Sequence, residues 1–279
     1  MKKIISQDNK VFKACSQLKI KKNRDKSGKY LIEGPNLVQD ALNSGVVPEV
    51  LLVSEKSIES EEIRNLCEVY KKKASGANDS TIYVLDEKLF NKLSETENPQ
   101  GIFGVVVKRE FSEEEFFEGS FRDRFDSTTR KRGNIIVLDR LQDPGNVGTI
   151  IRTAEAAGYD GILILKGTVD LYSPKVVRSC TGSLFRMPVL FADTPDGAIE
   201  MLKKHGKKVV STGLKESKYY YEVDLKENAA VVIGNEGNGI CEEFMENSDV
   251  VVKIPMVGQI ESLNASVAAA ILMYEAVKK

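Results

Sequence analysis

Apolar residues in the first hundred positions recur in a way that predicts a small domain of alternating helices and strands. Segments whose apolar residues recur every three or four positions alternate with short apolar runs. Glycine, proline and polar residues separate them. The pattern decays near Lys108, so we expect a first α/β domain over residues 1–109. Its predicted helices are 9–18, 35–43 and 62–73, and its predicted strands are 50–53, 82–85 and 101–107.

In the last half, short apolar runs alternate with helical stretches. This alternation predicts a parallel sheet with helices on both faces, here a second domain over residues 133–279. Residues 110–132 are dense in charge, punctuated by phenylalanine and without a clear period, which predicts a linker. The predicted strands are 135–139, 161–165, 208–212, 229–234 and 250–254, and helices are predicted over 148–158 and 195–205.

Charge is unevenly distributed, although the formal net charge of the 279 residues is only −1. The first thirty residues are rich in lysine and carry only Asp8 and Asp25 as acidic residues. A near-neutral protein with such a basic arm can bind phosphates, and the alternative is an ordinary solvated helix. The residues expected to bind RNA are Lys19, Lys21, Lys22 and Arg24.

The four cysteines are scattered, with no C-x-x-C pair, which argues against a zinc site or a disulfide framework. The amino terminus lacks the apolar core of a signal peptide, and no apolar run approaches the length of a membrane span. We therefore expect a reduced, cytoplasmic protein with no metal and no membrane contact.

Three polar, glycine-bearing segments each follow a predicted strand, where open α/β sheets bind ligands. The first segment, residues 134–158, contains the turn Asp143-Pro-Gly-Asn146 and then a helix that carries Arg152. On its own the segment is more typical of an ordinary capped helix with a surface arginine.

The second segment, residues 231–240, contains a G-x-x-G-x-G run that is neither a Walker loop nor a dinucleotide fingerprint. By itself it is typical of a tight structural turn. In the functional interpretation, Asn235 and the backbone amides hold a ligand. Glu236 then bonds a polar partner, because burying its carboxylate without one would be costly.

The third segment, residues 254–271, places Ser262-Leu263-Asn264 before an alanine-rich helix. Its small residues allow close approach to another backbone or to an adenosyl group. A helix cap and a buried terminal helix are the alternative interpretation.

Together the three segments, in this order, resemble the signature motifs of the SpoU (TrmH-type) branch of the SPOUT RNA methyltransferases, in the two-domain form directed at ribosomal RNA. The resemblance implies transfer of a methyl group from S-adenosylmethionine to a ribose 2′-hydroxyl, a deep trefoil knot, and a homodimer whose arginine serves the partner's site. Residues 30–42 and 98–106 resemble the small ribosomal-protein-like RNA-binding domain that often precedes such a catalytic domain. The active-site residues implied are Asn146, Arg152, Glu236, Ser262 and Asn264, and the cofactor-binding residues are Thr212, Gly213, Gly234, Asn235, Gly237, Ile254, Met256, Leu263 and Ser266.

Methyl transfer from a sulfonium requires the ribose oxygen to lie in line with the methyl carbon and to lose its proton. The family account gives the activating role to Arg152. Because an arginine pKa above about 12 makes a poor base, we expect Arg152 to bind phosphate or stabilise the alkoxide, with Ser262 and Asn264 orienting the ribose. The sole histidine, His205, lies outside all three segments and is expected at the surface.

Three alternatives stay open at this point. A Rossmann-type oxidoreductase fits the α/β alternation but lacks the G-x-G-x-x-G fingerprint. An RNA-binding protein without catalysis would keep the fold, and the RNA could be tRNA rather than ribosomal RNA.

Overall fold

The computed structural model describes residues 1–74, 81–118, 133–214 and 216–278. Its α-helices are α1 Lys10–Gln17, α2 Lys21–Ser27, α3 Pro35–Asn43, α4 Glu61–Ala74, α5 Glu87–Leu93, α6 Glu113–Glu118, α7 Pro144–Ala157, α8 Pro174–Ser179, α9 Pro195–Lys204, α10 Glu242–Asn247 and α11 Ala265–Glu275. Its strands are β1 Lys2–Ile4, β2 Lys29–Glu33, β3 Val50–Ser54, β4 Thr81–Leu85, β5 Ile102–Val107, β6 Ile135–Asp139, β7 Gly161–Leu165, β8 Val189–Ala192, β9 Lys208–Thr212, β10 Lys218–Tyr219, β11 Ala229–Gly234 and β12 Val250–Lys253.

The chain divides into two compact units. The first unit contains Met1–Arg109 and Tyr172–Phe185, and the second contains Glu110–Leu171 and Arg186–Lys279. The first unit therefore includes a short stretch that the sequence places in the middle of the second.

The first unit is built on a mixed sheet of strand order β1-β4-β3-β5-β2. β1, β4 and β3 run parallel, whereas β5 pairs antiparallel with both β3 and β2. Apolar side chains of the sheet pack against α1 and α5, with Leu52, Leu85 and Phe90 at most 1% exposed. Burial of this kind stabilises the unit by about 1.5–3 kcal/mol for each large apolar side chain.

Specific contacts attach Tyr172–Phe185 to the first unit. The Tyr172 ring lies 4.9 Å from the Tyr30 ring, and the Lys108 ammonium lies 4.7 Å from the Tyr172 ring centroid. Gly182 has a positive φ of 81°, and a Cβ there would lie 2.5 Å from an Asp40 carboxylate oxygen. Only glycine allows this approach.

The second unit contains a wholly parallel sheet of order β10-β12-β9-β11-β6-β7-β8. Helices pack on it as the alternating pattern predicts, and the α/β fold class is confirmed for both units. The trefoil knot concerns the path of the chain and stays a prediction.

The described part of residues 110–132 differs from a simple linker. α6 packs in the core of the second unit, where Phe116 is 7% and Phe117 4% exposed. A Cβ on Gly161 would lie 2.5 Å from the Phe116 ring, so the glycine makes room for that ring. Two adjacent aromatic residues on so short a helix produce no readable period, and residues 119–132 lie outside the described residues.

Candidate active site

The three polar segments lie at the carboxyl ends of neighbouring strands of the second unit. The strands β12, β9, β11 and β6 are adjacent and parallel, so their carboxyl ends share one edge of the sheet. The first segment leaves β6, the second leaves β11 and the third leaves β12. This edge is where parallel α/β sheets bind ligands.

The turn of the first segment is held by a helix cap. Asp143 Oδ1 accepts a hydrogen bond from Asn146 N at 2.8 Å, and Pro144 fills the first helical position of α7. The Asn146 side chain is 8% exposed. The cap therefore fixes a mostly buried amide at the start of α7.

A buried acidic residue supports the backbone just before that turn. Asp139 is fully buried, and its carboxylate accepts from Arg140 Nε at 2.7 Å and from Cys241 N at 2.7 Å. The ion pair raises the pKa of Arg140. Arg140 has a φ of 58°, in the left-handed region that non-glycine residues rarely adopt. Asp139 was not among the expected site residues, although an acidic residue at the end of an apolar strand is the signal that identifies it.

The second segment is a tight turn braced by the side chain of Asn235. Its Oδ1 accepts from Gly237 N at 2.9 Å and Asn238 N at 3.0 Å, while its Nδ2 donates to Arg140 O at 2.8 Å. The backbones of Asn235 and Gly239 exchange hydrogen bonds of 3.0 and 2.9 Å. Asn235, expected to bind cofactor, thus shapes the loop in this structure.

Gly234 is required by the same turn. A Cβ at this position would lie 2.4 Å from Gly239 C and 2.4 Å from Ile240 N, both backbone atoms that the turn holds in place. Gly237 differs, since a Cβ there would meet only Asn235 Oδ1 at 3.5 Å. The first glycine thus closes the loop, and the second does not.

Glu236 joins the second segment to the first. Its carboxylate accepts from Gln142 N at 3.1 Å, Asp143 N at 3.3 Å and Asn146 Nδ2 at 3.0 Å. Burial alone would raise the pKa of Glu236, but the hydrogen bonds from Asn146 and from these backbone N–H groups hold the pKa below its usual range. The carboxylate is therefore ionised at neutral pH.

Asn264 adds the third segment. Its Nδ2 donates to Asn146 Oδ1 at 2.9 Å, and its Oδ1 caps α11 by accepting from Ser266 N at 2.9 Å. Ser266 Oγ also donates to Asn264 Oδ1, at 2.7 Å. We call the connected side chains Glu236, Asn146 and Asn264 the three-segment network. It brings together three of the five active-site residues expected from the sequence.

Arg152 and Ser262 lie outside the three-segment network. Arg152 is exposed on α7, and its side chain makes no hydrogen bond and no ion pair among the described residues. Ser262 is exposed in the loop before α11.

The residues expected to hold the cofactor lie at the ends of β9, β11 and β12. Thr212 Oγ1 donates to Val232 O at 3.4 Å, and Gly213 N donates to Val252 O at 3.0 Å. Ile254, Met256 and Leu263 are half-buried in the third segment. Apolar side chains are exposed nearby in sequence, with Leu214 at 68%, Val257 at 100% and Ile260 at 62%. Apolar side chains beside strand-end backbone are the surroundings that an adenosyl group requires.

The four residues expected to bind RNA belong to the first unit and differ in exposure. Lys21 and Lys22 are exposed on α2, and Lys19 is half-buried. Arg24 is 4% exposed, and its Nη1 donates to Leu18 O at 2.6 Å and Lys19 O at 2.8 Å. Its guanidinium satisfies the backbone carbonyl groups that follow α1. We therefore leave Arg24 out of the residues proposed to bind RNA.

His205 is packed rather than free at the surface. Its ring stacks on Phe117 with centroids 4.0 Å apart, and its Nε2 lies 2.9 Å from Glu113 Oε1. Lys204 and His205 hold the pKa of Glu113 below its usual range. The histidine therefore fastens α6 and lies outside the three-segment network.

Within the described ranges, no group of three or more His, Cys, Asp or Glu side chains is placed to hold a metal ion. The same part of the chain contains no helix long and apolar enough to cross a membrane.

Comparison with known proteins covers nearly the whole chain. Residues 133–274 match the SpoU rRNA Methylase family, and residues 9–104 match the MRM3-like substrate binding domain. The chain is 38% identical over 276 residues to the 23S rRNA (guanosine(2553)-2′-O)-methyltransferase RlmP of Bacillus subtilis, covering 98% of each chain.

Two solved structures with bound S-adenosylmethionine are similar in fold. The rRNA methyltransferase of Sinorhizobium meliloti superimposes with a TM-score of 0.81 at 30% identity, covering 99% of this chain and 97% of the other. The SpoU methyltransferase AviRb of Streptomyces viridochromogenes superimposes with a TM-score of 0.82 at 27% identity, covering 96% and 97%.

Proposed function

Because this chain belongs to the SpoU rRNA methylase family, we propose that it methylates a ribose 2′-hydroxyl in 23S ribosomal RNA, at the guanosine corresponding to the one modified by its Bacillus subtilis relative. The family, the RNA methyltransferase activity and the S-adenosylmethionine cofactor expected from the three segments are confirmed. The observation that carries the proposal is the three-segment network, which joins all three segments at one sheet edge.

Bound S-adenosylmethionine supplies a methyl group on a positively charged sulfur, which leaves as a neutral thioether. The loops after β9, β11 and β12 hold it. Ile254, Met256 and Leu263 would supply apolar contact, and backbone groups near Gly213 and Gly234 would supply hydrogen bonds. Thr212, Gly237 and Ser266 complete the binding residues.

The chain's own residues position the ribose and assist loss of its proton. Asn264 is fixed from two sides, by its cap on α11 and by its bond to Asn146, so its position is set before RNA arrives. Ser262, in the exposed loop beside it, orients the ribose. Arg152 is free to bind the adjoining phosphate and stabilise the developing alkoxide, a task that suits a permanent cation better than proton abstraction.

The site is completed by a second copy of the chain. α11 is apolar on all sides, yet Val267 is 47% and Tyr274 52% exposed. A helix that is apolar all round is normally buried, and Val257 and Ile260 in the loop before it are exposed as well. In the homodimer, Arg152 of one subunit serves the site of the other.

Light scattering should give the mass of a dimer. Mixed Arg152→Ala and Asn264→Ala subunits, each inactive alone, should regain part of the activity because one site in the mixed dimer is intact. A monomer mass, or no recovery on mixing, contradicts the shared site.

In this proposal residues 1–109 bind RNA, residues 133–279 carry out the transfer, and the protein acts in the cytoplasm. Mapping 2′-O-methylation in a deletion strain tests it, with loss of one alkali-resistant linkage in 23S ribosomal RNA expected. An unchanged 23S pattern with a linkage lost from tRNA would instead establish the tRNA alternative. Titration calorimetry should show S-adenosylmethionine binding in the presence of a chelator.

A further inference from the structure

The first unit contains a cleft that the methyl-transfer site does not use. It is open to solvent and lies between β2, β5 and α8. Leu31, Phe103 and Val177 supply apolar lining, and the charged residues that line it are Lys19, Glu33, Glu95 and Arg178. We call this the unit-one cleft. The enclosed space is only about 20 Å³, so the cleft admits the edge of a ligand while the rest of that ligand lies at the surface.

Charges in the unit-one cleft do not neutralise one another. Among the described residues, none of the four forms an ion pair, and the Lys19 ammonium donates only to Lys92 O at 3.1 Å. Charged residues elsewhere in the unit do pair, as Lys29 does with Glu49 at 2.5 Å and Lys108 with Asp25 at 2.7 Å. The cleft therefore keeps two cations and two carboxylates available to a ligand.

Glu33 is the most informative of the four. It is 7% exposed, and its Oε1 accepts from Ser94 Oγ at 2.7 Å, Thr96 Oγ1 at 3.2 Å and Gln100 N at 3.4 Å. Its Oε2 has no hydrogen-bond partner in the described part of the chain. Because Glu33 lines the cleft and its Oε2 is unbonded, that oxygen can accept a hydrogen bond from a ligand.

We propose that the unit-one cleft binds one extruded nucleotide of the substrate RNA, with an amino-bearing base against Glu33 and its phosphate against Lys19 and Arg178. The inference rests on the proposed function and names the part of the RNA that the first unit recognises. Proteins read RNA sequence mainly from unstacked bases, bonded at their edges and packed on apolar or aromatic side chains. Guanine, adenine and cytosine carry an amino group for Glu33 Oε2. Uracil has a carbonyl oxygen where cytosine has its amino group, and its one donor, N3–H, lies elsewhere on the edge, so it fits the carboxylate less well.

Glu33→Gln is the decisive variant because it keeps the shape and the acceptor Oε1 while replacing Oε2 with a donor. Lys19→Ala and Arg178→Ala remove the phosphate contacts. Lys88→Ala and Glu97→Gln, exposed positions of the same unit outside the cleft, are the matched controls. Thermal melts verify that each variant folds.

The first measurement is methylation of an unmodified 23S rRNA transcript. The three cleft variants should raise the apparent KM for the transcript about tenfold each, the size of one base or phosphate contact. The rate at saturating transcript and the affinity for S-adenosylmethionine should not change. If the cleft variants match the controls, the cleft proposal is wrong; if the wild-type protein does not methylate the transcript, the proposed function fails instead.

The second measurement is binding of 5′-CMP and 5′-UMP, with S-adenosylhomocysteine present to fill the cofactor site. Wild-type protein should bind CMP about tenfold more tightly than UMP, and Glu33→Gln should lose or reverse that preference. Equal binding of the two by the wild-type protein, or no binding of either, overturns the proposal.

Discussion

The three-segment network and the unit-one cleft are both polar, but their side chains bond differently. In the network, Glu236, Asn146 and Asn264 bond one another and the backbones of neighbouring loops. In the cleft, the Glu33 carboxylate is bonded through one oxygen only, and the Arg178 side chain has no hydrogen bond or ion pair among the described residues. The difference indicates that bonded polar groups set the shape of a site, whereas unbonded ones are available for its ligand. Changes to the two kinds of residue should therefore have different effects.

Arg152→Ala should have the largest effect, although Arg152 bonds nothing in the described chain. Loss of one charge-stabilising donor typically slows the chemical step about 10²–10³-fold. Stability and RNA affinity should stay close to wild type, the pattern of a group that acts in the transition state. Single-turnover methylation beside filter binding measures this. The control is Lys226→Ala, which removes an exposed cation just before β11, at the opposite edge of the sheet. A large loss of stability in Arg152→Ala would contradict the idea that unbonded side chains serve the ligand and not the fold.

Gly234→Ala should unfold the loop of the second segment. The added Cβ would lie 2.4 Å from two backbone atoms, and overpacking of this kind destabilises by about 1–3 kcal/mol. Denaturant unfolding measures the change. Gly258→Ala, at a position with open space around the added Cβ, should leave the unfolding midpoint unchanged. Equal midpoints for the two variants would show that the turn is not rigid.

Asn146→Asp should break the network without changing its shape. The substitution replaces the donor to Glu236, 3.0 Å away, with a carboxylate oxygen, and the loss of a bonded partner costs about 1–3 kcal/mol. Adding Glu236→Gln restores a donor and should recover most of the stability. A double-mutant cycle from urea unfolding gives the coupling. Additive effects would mean that the two side chains do not interact.

Lys21→Ala with Lys22→Ala should change RNA affinity only modestly. Each lost phosphate contact should flatten the salt dependence by about 0.7–0.9 slope units, because fewer counterions are released. Cofactor affinity should stay the same. Filter binding across a salt series measures the slope, and an unchanged slope would make α2 a solvated surface.

A small pH effect should come from Glu236. Because its folded pKa is below its unfolded value, its contribution is complete above about pH 4.3 and declines as pH falls through the folded pKa. Between about pH 5 and pH 3 the wild-type protein should therefore lose more stability than Glu236→Gln. Parallel unfolding curves for the two proteins across that range would rule this contribution out.

Long apolar runs made much of the fold predictable. β3, β6, β7, β9 and β11 lie within one or two residues of their expected bounds, because a buried strand needs consecutive apolar residues. β1, β8 and β10 span two to four residues, too few to carry a period, and were not predicted. β2 was also missed as a strand, although Tyr30–Glu33 is buried.

Partners of polar side chains were harder to predict than the residues themselves. The order of the segments identified Asn146, Glu236 and Asn264, but their bonds to one another depend on the fold and have no signal in the sequence. The local excess of basic residues placed Arg24 among the expected surface cations. In the structure its guanidinium donates to the carbonyl oxygens of Leu18 and Lys19. No sequence pattern indicated that Arg178 would line a cleft with Glu33, far away along the chain.

Tyr172–Phe185 belongs to the first unit but is synthesised after the start of the second. Because the first unit takes in these residues, the chain passes between the two units three times, after Arg109, Leu171 and Phe185. A nascent chain cannot complete its first unit until Phe185 has left the ribosome, by which time β6, α7 and β7 of the second unit have also emerged. The two units therefore mature together during translation, and a fragment ending at Arg109 lacks one wall of its own cleft.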